Sequence, residues 1–327
     1  MLDIIIVNWN AGTQLKEAVQ SIYKCHDKRL NSVIIVDNHS TDDSLAELGS
    51  LGDSPCELTI IRNFENRGFA AACNQGSVFA RGEYLLFLNP DTVLHERSLS
   101  VPLDYLEQHS NTDIGIASIQ LFDQSGRIAR SCGRFPTLQI FLAHCLGINR
   151  LAPFIEMNLF REEWAHDHTD TVDHVIGAFY LIRRSVFESL RGFDERFFVY
   201  FEDMDLSLRA HKAGWHSVFL AEAQAFHGGG GSSGQVKAHR LFYWLRSRLL
   251  FAFKHFRPWQ AWALLGVTVA VEPISRTVFG LIRGGAEEVR RTLIGFGMLY
   301  RDLPGVLRKV LGIPEVGDEA RAAVDRR

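Results

Sequence analysis

The sequence predicts an α/β fold in which a mostly parallel sheet is flanked by helices, followed by a basic helical tail. Three observations carry the prediction. Short apolar runs rich in β-branched residues alternate with helix-spaced segments over the first 120 residues, each run ends in a cluster of polar residues, and the charge balance changes sign near residue 236. Continuous rather than alternating apolar strands mark a sheet covered on both faces, as helical crossovers between parallel strands provide.

The elements follow in order. Residues 2–7 (LDIIIV) form the first strand and run into Asn8, Trp9 and Asn10, and residues 15–23 have helical spacing. Residues 32–36 (SVIIV) form a second buried strand ending at Asp37. Residues 58–61 form a third, and residues 84–88 (YLLFL) a fourth, stopping at Asn89-Pro90-Asp91. Open α/β sheets bind ligands beyond the carboxyl ends of their strands, where these polar clusters lie. Residues 114–121 read as a further strand and 126–133 as a turn with basic residues. The apolar but irregular stretch 135–160 reads as a lid or an acceptor-side insertion. Residues 175–183 (VIGAFYLIR) read as a strand carrying Gly177, and 217–220 as a last strand leading to His227. The GGGGSSG run that follows is incompatible with regular structure and predicts a hinge, dividing the chain into domains at 1–230 and 231–327.

Charge separates the same two parts. Up to residue 236 there are 19 Lys+Arg against 30 Asp+Glu; from Lys237 onward there are 16 against 8. An acidic body argues against nucleic acid as a partner, whereas a basic, aromatic tail suits a phospholipid surface. Residues 240–256 mix aromatics and leucines with five basic side chains, His255 included, as an interfacial amphipathic helix would. The apolar run 259–271 falls short of the roughly 20 residues a helix needs to span a bilayer. Extending it to residue 282 buries Glu272 and Arg276, so monotopic attachment is expected over a span, with a soluble helical subdomain as the alternative. An oligomer is compatible with the sequence. Five scattered cysteines form no CxxC pair, and the first residues lack the basic and apolar regions of a signal peptide. The expected location is therefore reducing and faces the cytosol.

Candidate chemistry sits at the strand ends. Asp37 can accept hydrogen bonds from a base or a ribose hydroxyl, or can cap a helix. In Asn66-Arg67-Gly68, glycine permits close backbone approach and arginine offers a fork to phosphate; Asn74 follows in the same stretch. Asn89-Pro90-Asp91 holds a carboxylate where it can grip a divalent cation, and equally has the makings of a type I turn. His227 is a candidate metal ligand or a surface histidine. Neither GxGxxG nor a Walker A loop occurs. The segment 192–209, GFDERFFVYFEDMDLSLR, places Glu202, Asp203 and Asp205 directly behind an aromatic run. Carboxylates beside so much apolar surface are costly to leave bare, so they are paired, protonated, metal-bound or poised for proton transfer. Arg209 reads as a helix salt bridge or a phosphate contact.

Together these segments are more specific than any alone. VNWN at 7–10, VDNHSTD at 36–42, NRGFAAACN at 66–74, LNPD at 88–91, GAFYLIRR at 177–184, the 192–209 segment and His227 occur in an order that resembles family 2 glycosyltransferases of the GT-A fold. The rhamnosyltransferase-like branch of bacterial cell-surface polysaccharide synthesis is the most similar. The resemblance covers about residues 2–230. It implies a nucleotide-diphosphate-sugar donor, a divalent cation (Mg2+ or Mn2+), inversion at the anomeric carbon, and an acceptor on a polyprenyl-linked or other glycan. The implied donor is dTDP-L-rhamnose, with UDP- or GDP-hexoses as the alternative. The implied location is the cytoplasmic face of the inner membrane, held peripherally or monotopically. The resemblance places Asn8, Asn10, Asp37, Asn66, Arg67, Gly68, Asn74, Asn89, Gly177 and Arg209 at the substrates, Asp91 and His227 at the metal, and Asp203, with Glu202 as its rival, as general base. Asn89 stands where many relatives have aspartate, which removes one charge from the metal site. A sugar nucleotidyltransferase would need a basic, glycine-rich loop after the first strand, and residues 7–17 offer one glycine and one lysine.

Overall fold

The computed structural model of the protein describes residues 1–52, 54–148, 159–161, 163–229 and 237–311. These fall into two compact units. The first holds residues 1–135, 159–198 and 202–229; the second holds 136–148 and 199–201 in addition to 237–311.

In chain order the first unit begins β1 (Leu2–Asn8), α1 (Thr13–Lys24), β2 (Leu30–Asp37), α2 (Ser44–Glu47), β3 (Glu57–Arg62), α3 (Phe69–Ser77) and β4 (Tyr84–Leu88). It continues with β5 (Thr92–Leu94), α4 (Ser100–Glu107), β6 (Ile114–Phe122) and β7 (Cys132–Gly133). After α5 (Leu138–Leu146), which belongs to the second unit, come β8 (Asp170–Val172), β9 (His174–Val175), β10 (Phe179–Arg183), α6 (Arg184–Ser189), α7 (Glu202–Lys212) and β11 (His216–His227). The main sheet has the order β3-β2-β1-β4-β10-β6-β11-β5, with β8 paired to β11. The four N-terminal strands are mutually parallel, as their unbroken apolar runs predict; β10 lies antiparallel to both β4 and β6. β1 and β4 are buried along their whole length, whereas β3, at the sheet edge, is only partly covered.

Two strands differ from expectation, and both differences shape the site. The apolar run 175–183 is broken into β9 and β10 around Gly177, because Ile176 donates its N–H to Ser131 and leaves the ladder. β11 runs on to His227 instead of stopping near residue 220. It does so through a register jump in which Leu220 pairs with Ile119 and Gln224 with Gln120.

The second unit contains α5 and then α8 (Lys237–His255), α9 (Pro258–Ala270), α10 (Glu272–Phe279), a π-helical turn (Gly280–Gly284) and α11 (Gly285–Leu311). The expected interfacial helix at 240–256 is instead a core helix of this unit. Leu245, Leu249, Leu250 and Phe251 are buried in α8, and so are two of its cations, Arg246 and Arg248. Arg248 is fully buried and ion-paired with Glu272, equally buried, and also donates to Thr268 Oγ1 at 2.8 Å. Arg276 completes the cluster, its Nε 2.8 Å from Glu272 Oε1. Among the described residues no single helix is long and apolar enough to cross a membrane. Pro258–Ala270 and Glu272–Ile282 reach that length only as a pair bent by 44°. From residue 230 the predicted hinge lies outside the described residues, as do residues 149–158 of the predicted insertion.

Candidate active site

The sheet gathers the predicted residues on one edge. Asn8 lies opposite Asp37 at the end of the β1–β2 pair, Leu88 pairs with Phe179, and Thr92 pairs with His227. The polar residues that follow β1, β2 and β4, those that precede β10 and the end of β11 therefore lie side by side.

Asp37 is 4% exposed. Its Oδ1 accepts from Asn8 Nδ2 at 2.7 Å and its Oδ2 from the Ser40 N–H at 3.2 Å. Asn8 itself is fully buried, with its amide nitrogen also 3.0 Å from Ser40 Oγ and 2.8 Å from Ser44 Oγ. Asn8 thus supports Asp37 through its amide nitrogen, while its buried Oδ1 has no hydrogen-bond partner among the described residues. Asn10 accepts from the Thr41 N–H at 2.7 Å and donates its own N–H to Ser40 Oγ, tying the loops after β1 and β2 together.

A relay of amides escaped the sequence reading. Gln75 donates to Asn63, Asn63 to Asn38, and Asn38 to the Gly68 carbonyl at 3.0 Å. Its signal is present in the sequence, since Asn38 and Asn63 each directly follow a strand. The relay fixes the 66–68 loop, where the Gly68 N–H donates to Asn66 Oδ1 at 2.9 Å. Gly68 adopts φ +86°, and a Cβ there would lie 2.5 Å from the Phe198 carbonyl oxygen. Only glycine satisfies both demands. Arg67, at the tip, is exposed and has no polar partner among the described residues.

Two further candidates are engaged within the fold. Asn74 spends its amide on the 193–195 loop, donating to the Phe193 carbonyl and to Glu195 and accepting from the Phe193 N–H. Arg209 donates to Asp205 at 2.8 Å and to the carbonyls of Leu190 and Gly192. Both are clamps of the fold, and Asp205, fully buried, is Arg209's partner.

Asn89-Pro90-Asp91 is a turn and a presenting device at once. The Asn89 carbonyl accepts from the Thr92 N–H at 3.1 Å, closing a β-turn, and the turn leaves Asp91 Oδ1 3.4 Å from His227 Nε2. Asn89 Nδ2 lies 3.4 Å from the same ring nitrogen. An oxygen and an imidazole nitrogen at this separation fit neighbouring ligands of one divalent cation, whose bonds run to about 2.1 Å. No group of three or more His, Cys, Asp or Glu that could hold a metal occurs among the described residues.

The acidic trio heads α7, behind Tyr200 and Phe201, both left-handed at φ 66° and 69°. Such backbone outliers in non-glycine residues concentrate at functional sites. The structure sorts the trio. Glu202 is 5% exposed, its Oε2 has no hydrogen-bond partner, and burial, reinforced by the Asp203 charge, pushes its carboxyl well above the usual range. Burial and the missing partner both disfavour its charged form. The side chain of Asp203 is 16% exposed. Its Oδ2 accepts from the Gly177 N–H at 2.8 Å and its Oδ1 from the Met204 N–H at 2.8 Å. Behind it lies buried His174, Nε2 3.9 Å from Asp203 Oδ2, whose Nδ1 lies 3.3 Å from Ser207 Oγ, itself 3.0 Å from Tyr180 OH. Burial lowers the pKa of His174 despite the nearby Asp203 charge.

Comparison with known proteins agrees with this architecture. An L-rhamnosyltransferase of Mycobacterium tuberculosis, N-acetylglucosaminyl-diphospho-decaprenol L-rhamnosyltransferase, is 27% identical over 286 residues, covering 81% of this chain and 90% of that protein. Rhamnosyltransferase WbbL of Escherichia coli K12 is 33% identical over 151 residues, or 45% of this chain and 52% of WbbL. Mannosyltransferase PcManGT from Pyrobaculum calidifontis, solved with GDP-Man and Mn2+, superposes with a TM-score of 0.53 at 15% identity, over 95% of this chain and 84% of its own. At that identity the likeness establishes the GT-A fold. The model of the family Glycosyl transferase family 2 matches residues 3–191, which carry all the strands from β1 to β10. The chain thus belongs to glycosyl transferase family 2 and is similar, within it, to rhamnosyltransferases.

Proposed function

We propose that the protein is an inverting, cation-dependent glycosyltransferase that moves L-rhamnose from dTDP-L-rhamnose to a hydroxyl of a polyprenyl-diphosphate-linked saccharide. Other UDP- or GDP-hexose donors are the alternative. The observation that carries the reading is the division of labour along one sheet edge. A single partly exposed carboxylate, Asp203, is held by two backbone N–H groups, and it is separated from the Asp91–His227 pair by the Gly177–Ala178–Asn89 backbone contact. Inverting transfer needs one base on the acceptor side, opposite the leaving diphosphate.

In this reading Asp37, with Asn66, Arg67 and Gly68, lines the nucleotide, and Asp91 and His227 hold the cation. When bound, that cation neutralises charge developing on the leaving diphosphate. Asp203 Oδ takes the proton of the acceptor hydroxyl as its oxygen bonds to the anomeric carbon. The bond from that carbon to the diphosphate oxygen breaks in the same displacement, and the nucleoside diphosphate departs with the electron pair. The two N–H donors orient the carboxylate, and Gly177 places one of them without a side chain between base and substrate. The rhamnosyl group is supported by both relatives' names and the polyprenyl-linked acceptor by the first of them; in this reading the enzyme works at a membrane surface, on its cytoplasmic face.

The test is a donor panel. Purified protein is incubated with dTDP-L-rhamnose and with UDP- and GDP-hexoses, with Mn2+, Mg2+ or chelator, and with a short polyprenyl-diphosphate N-acetylglucosamine. Release of nucleoside diphosphate and the anomeric configuration of the product by NMR are read. dTDP release with an inverted product is expected; a retained configuration or preference for a UDP- or GDP-hexose overturns the corresponding part.

A further inference from the structure

The second unit presents a surface of unusual composition. Every exposed residue from 258 to 282 is apolar or glycine. On α9 these include Trp259 and Trp262; from the junction before α10 through the turn after it they include Val271, Ile274, Val278 and Leu281, with Ile274 65% and Leu281 67% exposed. The spacing of three and four keeps each set on one helical face. The segment's two charged residues, Glu272 and Arg276, are turned inward onto each other and Arg248. A water-facing helix pair shows the reverse pattern. An apolar face of this extent on a folded protein marks a contact with something apolar.

We infer that residues 258–282 form a lipid-docking face that enters one leaflet of a phospholipid bilayer without crossing it. Three features select lipid. The paired tryptophans stand at the start of the stripe beside exposed Arg257, the arrangement that anchors a helix at the headgroup level. The chain from Lys237 onward carries 16 Lys+Arg against 8 Asp+Glu, and the excess is still basic, complementary to anionic headgroups, once Arg246, Arg248 and Arg276 are set against Asp302 and Glu272 inside the unit. A polyprenyl-linked acceptor resides in the bilayer, so the inference rests on the acceptor class proposed above. The cluster at the bend opposes crossing as a straight span. Arg248 of α8 holds Thr268 of α9 and Glu272 of α10 together, and Cys145 of α5 donates to Glu272 at 3.3 Å. Straightening the pair into a span would strip a buried charge of its partner. The same cluster removes the charge that would otherwise forbid entry into the leaflet. The docking helices are therefore α9 and α10, with α8 as their internal support.

The experiment is flotation of the full chain with phosphatidylcholine–phosphatidylglycerol vesicles, wild type against Ile274→Glu/Val278→Glu. Both substituted positions are exposed, so the melting temperature and the hydrolysis of nucleotide sugar in solution serve as folding controls and stay unchanged. A loss of vesicle affinity of about tenfold or more is expected. If wild type does not float at all, the membrane reading under Proposed function fails and this inference falls with it. If wild type floats and the double variant floats equally, only the assignment of this face is overturned. If the variant abolishes a lipid-free dimer and leaves flotation intact, the face joins two copies of the chain, which also overturns it.

Discussion

The Gly177 N–H points at Asp203 Oδ2 from 2.8 Å, and it does so because the apolar run 175–183 is interrupted at that glycine. A continuous strand would spend that N–H on its ladder. The break frees a donor that holds a carboxylate in one orientation, while the Met204 N–H holds its other oxygen.

Asp203→Asn is expected to lower kcat by about 10²–10⁴-fold, the usual worth of a positioned general base, with donor affinity unchanged. Glu202→Gln keeps the shape of the side chain without its charge, so with Asp203 as the base activity should stay within a few-fold of wild type. Its effect appears in stability. A carboxyl raised on folding makes the native state bind the extra proton, so stability is complete below the ordinary value of 4.5 and declines as pH rises from there through the folded pKa. Melting temperatures taken across pH should show this decline in wild type and its loss in Glu202→Gln. Loss of activity in that variant with survival in Asp203→Asn would exchange the two roles.

His174 packs behind Asp203, Nε2 3.9 Å from Oδ2, and in the proposed mechanism it is a positioning residue. His174→Gln should lower kcat about ten- to hundredfold with the donor KM unchanged, because a base displaced by a fraction of an ångström loses alignment. Burial depresses the pKa of the imidazole, so the unfolded state binds the proton first and stability falls on acidification below about 6.5. The variant should lack that component of acid sensitivity. A purely structural histidine would change the melt and leave the kcat-to-KM split untouched.

Asp91→Ala and His227→Ala are each expected to weaken nucleotide-diphosphate-sugar binding about a hundredfold in Mn2+ and to leave binding in chelator as it is in wild type. Isothermal titration with and without the metal reads this directly. Equal affinities of wild type and variants in Mn2+ would remove both residues from the metal site.

Arg248→Met alone should destabilise the fold by about 3–5 kcal/mol, since it leaves Glu272 buried without its main partner. Arg248→Met with Glu272→Leu should recover most of that loss. Glu272 is held down to about 2 by Arg248 and Arg276, so its contribution is present above the ordinary value of 4.5 and is lost as pH falls toward 2. Urea unfolding of the three proteins at neutral pH, repeated on wild type at low pH, checks both statements.

The parallel half of the sheet was legible because strands buried on both faces must be apolar throughout, and β1, β2 and β4 are. The second half was harder because its strands are defined by pairing. Ile176-Gly177-Ala178 is as apolar as its flanks and still leaves the ladder, and β11 carries Glu222 and Gln224 in mid-strand. Polar type was legible at the strand ends, but role was not. Asn74 and Arg209 make their hydrogen bonds within the fold, and Asn8 donates within it too, while its buried Oδ1 has no partner among the described residues. Adjacent Glu202 and Asp203 differ only in which side of α7 faces inward, and spacing alone does not set that phase. Arg246 and Arg248 resembled the polar face of an interfacial helix because periodicity does not reveal a buried partner 24 residues away from Arg248.

The register jump in β11 has a consequence for His227. Four steps along β11, from Leu220 to Gln224, match a single step along β6, from Ile119 to Gln120, so three residues are taken up without partners. Side chains alternate faces along a strand, and an odd surplus reverses which face every later residue occupies. The irregularity thus acts as a phase setter. Shortening it by one residue would send the imidazole to the opposite face from Asp91 while every strand of the sheet remained in place.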